Sequence, residues 1–570
     1  MRGTGWRDWW AKGGERALGL TLVTLSALWV LWPFHTTHWY DNDEVDRYPA
    51  RLEVFFDHVS WANPYPRWIP ELAGGTGYPL FDFFNPGFIF VGLPFRALGM
   101  SPNDACKAAI LVLLLVGGFY ARALAMRLLP TGSRHREIVG AFAGFFYLTA
   151  PYTLSNLYLR GDLAELGAMM LFPLVLFHAA AFLEGGRWRD GLMLALGWGL
   201  LIPMHAFSAL LFTLVFSALH LALLVRRHAT IRQVARSVVP AFLGAGLSAF
   251  YWVPVLKEMG SVSIHGFFTM EQFEVFALPA MGLLDDRIDG PMGDRLFTYG
   301  WLLPLLGLVG WGVRRRARTA HATWLGVLLG AAVVAGFLST RAAGPIYESV
   351  PPLAMIVFPW RWLGIGSLCL ALLAGRVALV GDRWAHWALL LALGVLVAWP
   401  SVVIPKPTWL EPGTFDYAAR AETEYVLFDY GEYYPAGSRP SVRPPRRATG
   451  TRGCVVGPLE RGPARELPGM STTVEASQPC AVTFPHFLWI AFEGRVDGEP
   501  APARADPRGY AVIDVQPGTH DVAITYVRTP AQRLGGWLTL ASLALWLALV
   551  AWRNARLLRR RRFRGNPPGR

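Results

Sequence analysis

The chain returns again and again to apolar runs long enough to cross a bilayer, which takes roughly 20 residues of helix. Inside hydrocarbon the backbone must satisfy its own hydrogen bonds, so such runs fold as helices. They fall near 17–34, 104–128, 137–151, 163–183, 190–203, 204–225, 237–256, 298–313, 322–339, 355–380, 384–400 and 536–552. The pair at 190–225 is divided at Pro203, because a single helix there would leave Arg189 and Arg226 on opposite sides. Composition agrees: 53% of the 570 residues are hydrophobic and 16% charged, against about 25% charged in a soluble domain. This excludes an ordinary soluble enzyme and, with so much apolar content, a disordered chain. The expected fold class is a polytopic α-helical membrane protein of about twelve spans.

Orientation follows the positive charges. Arg2, Arg7, Lys12 and Arg16 precede the first span, and Arg127, Arg134 and Arg136 follow the second. Arg187 and Arg189 follow the fourth, Arg226, Arg227, Arg232 and Arg236 the sixth, and Arg314, Arg315, Arg316 and Arg318 the eighth. With the tail beyond Trp552, which holds eight Arg and no acid, all lie on one side if the spans number twelve. Both termini are then cytoplasmic. The Arg-rich tail reads as a retention signal that meets the anionic lipid leaflet rather than as a nucleic-acid site, and the net charge of +13, carried by Arg with only four Lys, reflects a GC-rich genome as much as any selected property. The first span is too long and too Trp-rich for a cleaved signal peptide.

The opposite, periplasmic side receives the rest. Residues 1–400 form the transmembrane core, with a first periplasmic loop at 35–103 and an acidic one at 257–297. Residues 401–534 form a β-rich domain, and 535–570 the last helix with its Arg-rich tail. Within the domain, 481–484, 487–492, 510–515 and 520–527 have strand patterns, and Gln516-Pro517-Gly518-Thr519 is a turn between the last two, the pattern of a hairpin. A small antiparallel β-sandwich is expected there. Cys454 and Cys480 lie in it on the oxidising side, where a disulfide is expected and would stabilise by roughly 3 kcal/mol. Cys106 and Cys369 sit in spans as packing residues.

Polar residues gather at the periplasmic span ends. Asp41, Asp43 and Glu44 stand where the first span leaves the membrane, a costly place for carboxylates and a suitable one for acid–base chemistry. Pro49 can start a helix whose Leu52, Phe55, Phe56 and Val59 share one face while Arg51, Glu53 and Asp57 lie elsewhere, the pattern of an interfacial amphipathic helix. Tyr65-Pro66-Arg67-Trp68 and the Gly74–Pro86 stretch make a shaped loop. Arg160-Gly161-Asp162-Leu163-Ala164-Glu165 opens the fourth span, His205 sits beside the Pro203 turn, and Phe358-Pro359-Trp360-Arg361 lies at the mouth of the tenth. Singly, each is an ordinary interfacial anchor or helix-end residue. Together, arginine and carboxylate at a lipid–water boundary suit a phosphate-bearing substrate, which a guanidinium grips with two parallel bonds. No HExxH, CxxC or Walker pattern is present.

The ordered motifs resemble those of the YfhO-like and 6-pyruvoyl-tetrahydropterin-synthase-related bacterial membrane proteins, relatives of the GT-C glycosyltransferases. They are the acidic start at Asp43, Pro66-Arg67-Trp68 with Gly77-Tyr78-Pro79, Arg160-Gly161 with Glu165, Met204-His205, Phe250-Tyr251-Trp252-Val253-Pro254 with Glu258, Phe358-Pro359-Trp360-Arg361, Asp497-Gly498 and Pro517-Gly518-Thr519-His520. The histidine cluster of the soluble zinc enzyme in that family name has no counterpart here.

The resemblance implies a GT-C-like core in the bacterial inner membrane that moves a sugar from a polyprenyl-phosphate donor to an envelope glycan, lipid or protein acceptor. It implies a catalytic base at Asp43, with Asp41 second. Family members often carry His or Gln four residues after that Asp, where this chain has Arg47. A carboxylate takes the acceptor proton, and cations steady the departing lipid phosphate. Arg160 and Arg361 are assigned to that phosphate with His205 as helper, Glu165 to Arg160 or sugar hydroxyls, Arg67 and Trp68 to the acceptor pocket, and Glu44 to substrate. A single displacement inverts the anomeric centre, and a carboxylate nucleophile would retain it. No metal is required, although Asp41, Asp43 and Glu44 could hold a hard cation. A lipid flippase and a non-catalytic envelope scaffold are the competing readings. A flippase calls for paired repeats and mid-membrane charge, whereas the polar groups here cluster at span ends.

Overall fold

The computed structural model describes residues 13–35, 39–40, 44, 47–130, 133, 135–264, 270–279, 299–313, 320–350, 353, 356–380, 409–410, 433–439 and 445–564. Among these, seven helices are long and apolar enough to cross a membrane: Glu15–His35, Pro102–Arg127, Leu163–Gly185, Ala206–Val225, Ala320–Leu338, Pro359–Leu379 and Pro530–Arg556. The count rises to nine if two bent pairs each make one crossing. The helices in the order used below are α1 (Glu15–Leu31), α2 (Arg47–His58), α3 (Gly87–Ala97), α4 (Pro102–Arg127), α5 (Arg136–Leu148), α6 (Leu163–Gly185) and α7 (Trp188–Met204). They continue with α8 (Ala206–Val225), α9 (Ile231–Leu247), α10 (Ala249–Glu258), α11 (Leu302–Gly312), α12 (Ala320–Leu338), α13 (Trp362–Ala374) and α14 (Pro530–Arg564).

The count of twelve is not reproduced. The runs at 190–203 and 298–313 fold as α7 and α11, of 17 and 11 residues, and 384–400 lies outside the described residues. The division of the 190–225 stretch holds, but the break falls at His205, whose extended backbone (φ −159°, ψ 105°) separates α7 from α8.

Burial ranks the helices. The windows of Leu163–Gly185 and Pro359–Leu379 are each 94% buried and that of Pro530–Arg556 only 6%, so the first two are central and the last peripheral. A helix apolar all round with this little protein around it is one built to face lipid. The basic span ends lie together: Arg127 pairs with Glu184 at 2.7 Å, Gln233 reaches the Leu183 carbonyl, and the rings of Trp188 and Trp552 meet at 5.7 Å. The β-domain and the residues at the His205 break lie at the other end.

Helix α2 differs from its expectation. It begins at Arg47, and Arg51, placed off the apolar face, is buried. Its guanidinium lies 3.9 Å from the Phe84 ring centre and 3.6 Å from Glu44. The helix is therefore packed into protein on the side that carries its arginines. Glu53 meanwhile ties it to Arg96 of α3, Nε to Oε2 at 2.5 Å.

The C-terminal β-domain has strands β1 (Thr449–Gly450), β2 (Cys454–Val456), β3 (Glu460–Arg461), β4 (Gly469–Ala476), β5 (Cys480–Phe487), β6 (Phe492–Val496), β7 (Glu499–Ala501), β8 (Ala503–Ala505), β9 (Tyr510–Val515) and β10 (Gly518–Tyr526). Two antiparallel sheets, β8-β9-β5-β1 and β2-β4-β10-β6-β7 with β3 beside β4, share one core that includes Val482 and Ile513 from the first and Val474 and Ile524 from the second. The disulfide Cys454–Cys480 is present, with Cα atoms 5.9 Å apart.

Two strand expectations fail. The 487–492 run is cut at Phe487, because Phe492 N–H turns back to the Trp489 carbonyl and Trp489 points away to bond Ser261 Oγ at 2.9 Å. The Pro-Gly turn at 516–519 joins no hairpin. Strand β9 pairs with β5 and β8, while β10 pairs with β4 and β6, so the turn carries the chain from one sheet to the other.

Candidate functional site

The site grows from a break in the helical chain. After α5 the chain makes a short helix, Pro151–Ser155, and a π-turn, Asn156–Arg160. Gly161 then takes a left-handed φ of 68°, which glycine adopts without a steric penalty. Asp162 caps α6 by accepting the Glu165 N–H at 2.9 Å. In a capping box the third helical residue would reach back to the cap backbone. Here Glu165 points elsewhere and gathers charge: Arg160 Nη1 donates to its Oε2 at 2.6 Å and Arg361 Nε at 3.2 Å, and the Tyr152 hydroxyl donates to Oε1.

Two guanidinium groups thus converge on one buried carboxylate oxygen. Arg160 also holds Asp162 at 2.9 Å, and Arg361 Nη1 donates to the Ile356 carbonyl at 2.7 Å. Arg361 Nη2 makes no hydrogen bond to a described residue. Phe358 lies between the two cations, 5.4 Å from the Arg160 guanidinium carbon and 4.9 Å from that of Arg361. Glu165 is fully buried, and Arg160 and Arg361 are 5% and 9% exposed. A charge is buried at this depth only when paired, and each of these is.

The other walls come from distant segments. His205, at the α7–α8 break, caps α8: its Nδ1 accepts the Ser208 N–H at 3.2 Å and meets Ser208 Oγ at 2.7 Å. From the first loop, the Tyr48 hydroxyl donates to Asp162 Oδ1 at 2.9 Å and accepts the Ala164 N–H at 3.0 Å. The Glu44 N–H donates to the Arg160 carbonyl at 3.1 Å. Burial, and then the charge of Asp162, raise the Glu44 carboxyl above the usual range against the pull of Arg51, Arg47 and Arg160.

Arg160, Glu165, His205, Arg361 and Glu44 are therefore brought together as the sequence suggested. Asp41 and Asp43, the expected bases, lie outside the described residues, although Glu44 beside them is fixed at the rim. Three members of the cluster were not singled out from sequence: Asp162, Tyr48 and Tyr152. The Asp-x-x-Glu spacing of Asp162 and Glu165 at the start of a span was a signal for the first. Nothing in the sequence marks the tyrosines.

Asp162, Glu165 and His205 can each offer a ligand atom within 4.8 Å of the others. Two carboxylates and an imidazole suit a divalent cation of the harder or borderline kind. This set is the metal-capable cluster among the described residues, outside which Asp41 and Asp43 lie. A cation there would compete with Arg160 and Arg361 for both carboxylates.

Arg67 and Trp68 lie in a different place. Arg67 Nη1 pairs with buried Asp82 at 2.6 Å and Nη2 donates to the Phe250 carbonyl at 2.6 Å. Gln532 of α14 donates to Asp82 at 3.3 Å, and Thr529 donates to Glu258. Trp68 is 1% exposed, stacked on His486 at 4.8 Å and Trp489 at 5.7 Å. These residues dock the β-domain on the core instead of lining an open acceptor pocket.

Residues 81–404, more than half of the chain, match the family model described as the 6-pyruvoyl-tetrahydropterin synthase related domain, a membrane protein. The chain belongs to this 6-pyruvoyl-tetrahydropterin synthase-related family. The family's span takes in Arg160, Asp162, Glu165, His205 and Arg361 but neither the Asp43 loop nor the β-domain. No curated protein matches the chain. Among solved structures, the arabinofuranosyltransferase AftD from Mycobacteria aligns over 68% of this chain and 27% of its own at 16% identity, with a TM-score of 0.44. The Archaeoglobus fulgidus oligosaccharyltransferase, in its apo form, aligns over 75% of this chain and 57% of its own at 10% identity, with a TM-score of 0.46. The oligosaccharyltransferase AglB from that organism, in complex with an inhibitory peptide and a dolichol-phosphate, gives 73%, 56%, 12% and 0.44. The chain thus spans between 27% and 57% of these structures.

Proposed function

We propose that this family member is a GT-C-type glycosyltransferase that moves a sugar from a polyprenyl-phosphate carrier to an acceptor in the bacterial envelope, on the periplasmic face of a polytopic inner-membrane core. The observation that carries the reading is the convergence of Arg160 and Arg361 on Glu165 at the span ends next to the first loop. Arg361 keeps Nη2 for a ligand, and a lipid phosphate sliding in from the bilayer would meet that donor first. Fixed donors aimed at developing charge stabilise a departing phosphate more than water does, because they need no reorganisation.

The chemistry assigned to the chain's own residues is a single displacement. The acceptor hydroxyl oxygen bonds to the anomeric carbon, its proton passes to the Asp43 carboxylate, or to Asp41, and the carbon–oxygen bond to phosphate breaks with its electron pair on the phosphate. The sugar's anomeric centre inverts. Glu165 holds the two arginines apart and oriented, Asp162 and Tyr48 set the position of Arg160, and His205 adds a polar wall. The scheme requires no metal. If a divalent cation binds at Asp162, Glu165 and His205, it supplies further positive charge for the phosphate.

The test is lipid mass spectrometry of a deletion strain complemented with wild type or Asp43→Asn. A polyprenyl-phosphate sugar that accumulates and is cleared only by wild type supports the transferase. A base of this kind contributes about 10²–10⁴-fold. An unchanged lipid pool with full complementation by Asp43→Asn removes Asp43 as base and shifts the reading to a flippase or a scaffold.

A further inference from the structure

A cleft of about 440 Å³ lies where the first loop meets the β-domain, away from the arginine cluster. One wall is Pro70, Glu71, Gly74 and Gly75. The other is the β3–β4 connection with Arg461, Glu466, Pro468 and Met470, joined by Arg446 and closed by His486. Both walls are fixed. Ser60 Oγ donates to the Arg465 carbonyl at 2.5 Å, Arg461 donates to the Gly75 carbonyl at 3.2 Å, and Phe487 N–H donates to the Thr76 carbonyl at 3.1 Å. The volume lies within the range of small-ligand sites.

The lining has a definite chemistry. Two guanidiniums, two carboxylates and an imidazole face one space, so donors and acceptors are both present and the formal charges cancel. A polyanion would meet two carboxylates, and a lipid tail would have to desolvate four charged side chains and an imidazole. Vicinal hydroxyls suit such a lining, since each one both donates and accepts. His486 supplies an independent pointer. It is 1% exposed, and its Nδ1 has no hydrogen-bond partner. A buried nitrogen left unpaired is costly, and a hydroxyl reaching the end of the cleft would satisfy it. Burial also holds the ring far below its usual pKa, at about 3, so it is neutral and able to accept. A peptide is disfavoured by the backbone. Strand β4 is already paired with β3 and β10 at Met470, so no free edge is open for strand addition.

We propose that this cleft binds a disaccharide-sized stretch of a glycan chain and that it is the acceptor-holding subsite of the transferase. The second half rests on the function proposed above, and the first half stands without it. The preformed walls mean that binding costs little ordering.

The test uses the full chain in lipid nanodiscs with three neutral probes: chitohexaose, mannohexaose and cellohexaose, followed by saturation-transfer NMR and calorimetry. At least one should bind, and Arg446→Ala and Glu466→Ala, both at exposed residues, should weaken it at least five-fold. Binding of a polyprenyl phosphate should stay unchanged in both variants. Absence of binding by all three probes overturns the proposal, as does binding that neither variant alters. Displacement of the probe by a twelve-residue polar peptide overturns the glycan assignment. If glycan binding persists while deletion leaves the lipid pool unchanged and Asp43→Asn complements fully, the cleft stands and the transferase falls. If Asp43→Asn blocks sugar transfer and no probe binds, the reverse holds.

Discussion

Tyr48 and Asp162, 114 residues apart, are joined by a buried hydrogen bond of 2.9 Å, and the same tyrosine oxygen accepts the N–H of Ala164. One hydroxyl thus fastens the first loop to the start of α6. In the chain, Asp43 precedes Tyr48 by five residues.

Tyr48→Phe keeps the ring and removes both bonds. It leaves the Ala164 N–H unsatisfied in the interior, at a cost of about 1–3 kcal/mol. A lower Tm in detergent, with the first loop cut faster by protease, is the expected outcome. Sugar clearance in the complementation assay should fall as well, since the loop is no longer fixed against the arginines.

Glu165→Ala should be among the most damaging single changes in the core. Among the described residues it leaves buried Arg361 without a carboxylate and Arg160 with Asp162 alone, and breaking a buried pair from one side costs about 3–5 kcal/mol. Loss of folded protein in fluorescence-detected size exclusion is expected. Glu165→Gln, which keeps the shape and an acceptor oxygen, should fold measurably better and still transfer poorly.

Gly77→Ala should loosen the seam under the β-domain. Gly77 has φ +86°, and a Cβ there would sit 2.3 Å from the Trp68 ring, so the tryptophan must leave its stack on His486. Red-shifted tryptophan fluorescence and faster hydrogen exchange at 68–77 and 486–492 are expected. The arginine cluster should keep its affinity for polyprenyl phosphate.

The cleft wall should respond to pH through His58 and Glu71, paired at 3.0 Å. Burial opposes the His58 charge, but the hydrogen bond and charge of Glu71 outweigh it and lift His58 above its ordinary 6.5. Glu71, raised by burial but lowered more by His58, falls below its ordinary 4.5. The histidine's contribution is complete below about pH 6.5 and is lost as pH rises through its folded value. That of Glu71 is complete above about pH 4.5 and is lost as pH falls through its folded value. Hydrogen-exchange protection at 71–77, corrected for the intrinsic rate at each pH, should therefore be greatest between these limits and fall at alkaline pH. Glu71→Gln should flatten the profile, and an unchanged profile in that variant would rule the pair out.

The polar cluster could be read from sequence because its members stand beside local punctuation. Arg160 precedes Gly161, His205 follows Pro203, and Arg361 follows Pro359, so each was placed at a span end by chain chemistry alone. What could not be read depends on partners far along the chain. Trp68 looked like a pocket residue because His486 and Trp489, which cover it, come some 400 residues later. Arg51 looked solvated because its cover, Phe84 and Glu44, is tertiary. The Pro-Gly turn at 516–519 was read as a hairpin because the same residues serve a tight turn and a crossing between sheets. The span count suffered where α7 and α11 are short, since length is the only sequence handle on a crossing.

Gln532 of α14 adds a second donor to Asp82 Oδ1, 450 residues earlier. During synthesis at about 5–20 residues per second, that buried acid and its Arg67 partner wait tens of seconds for their last ligand. Until α14 arrives, the floor beneath the β-domain is unfinished. Helix α14 is thus a timing element as well as an anchor: the bonding around Asp82 reaches its final form only after this helix has been made.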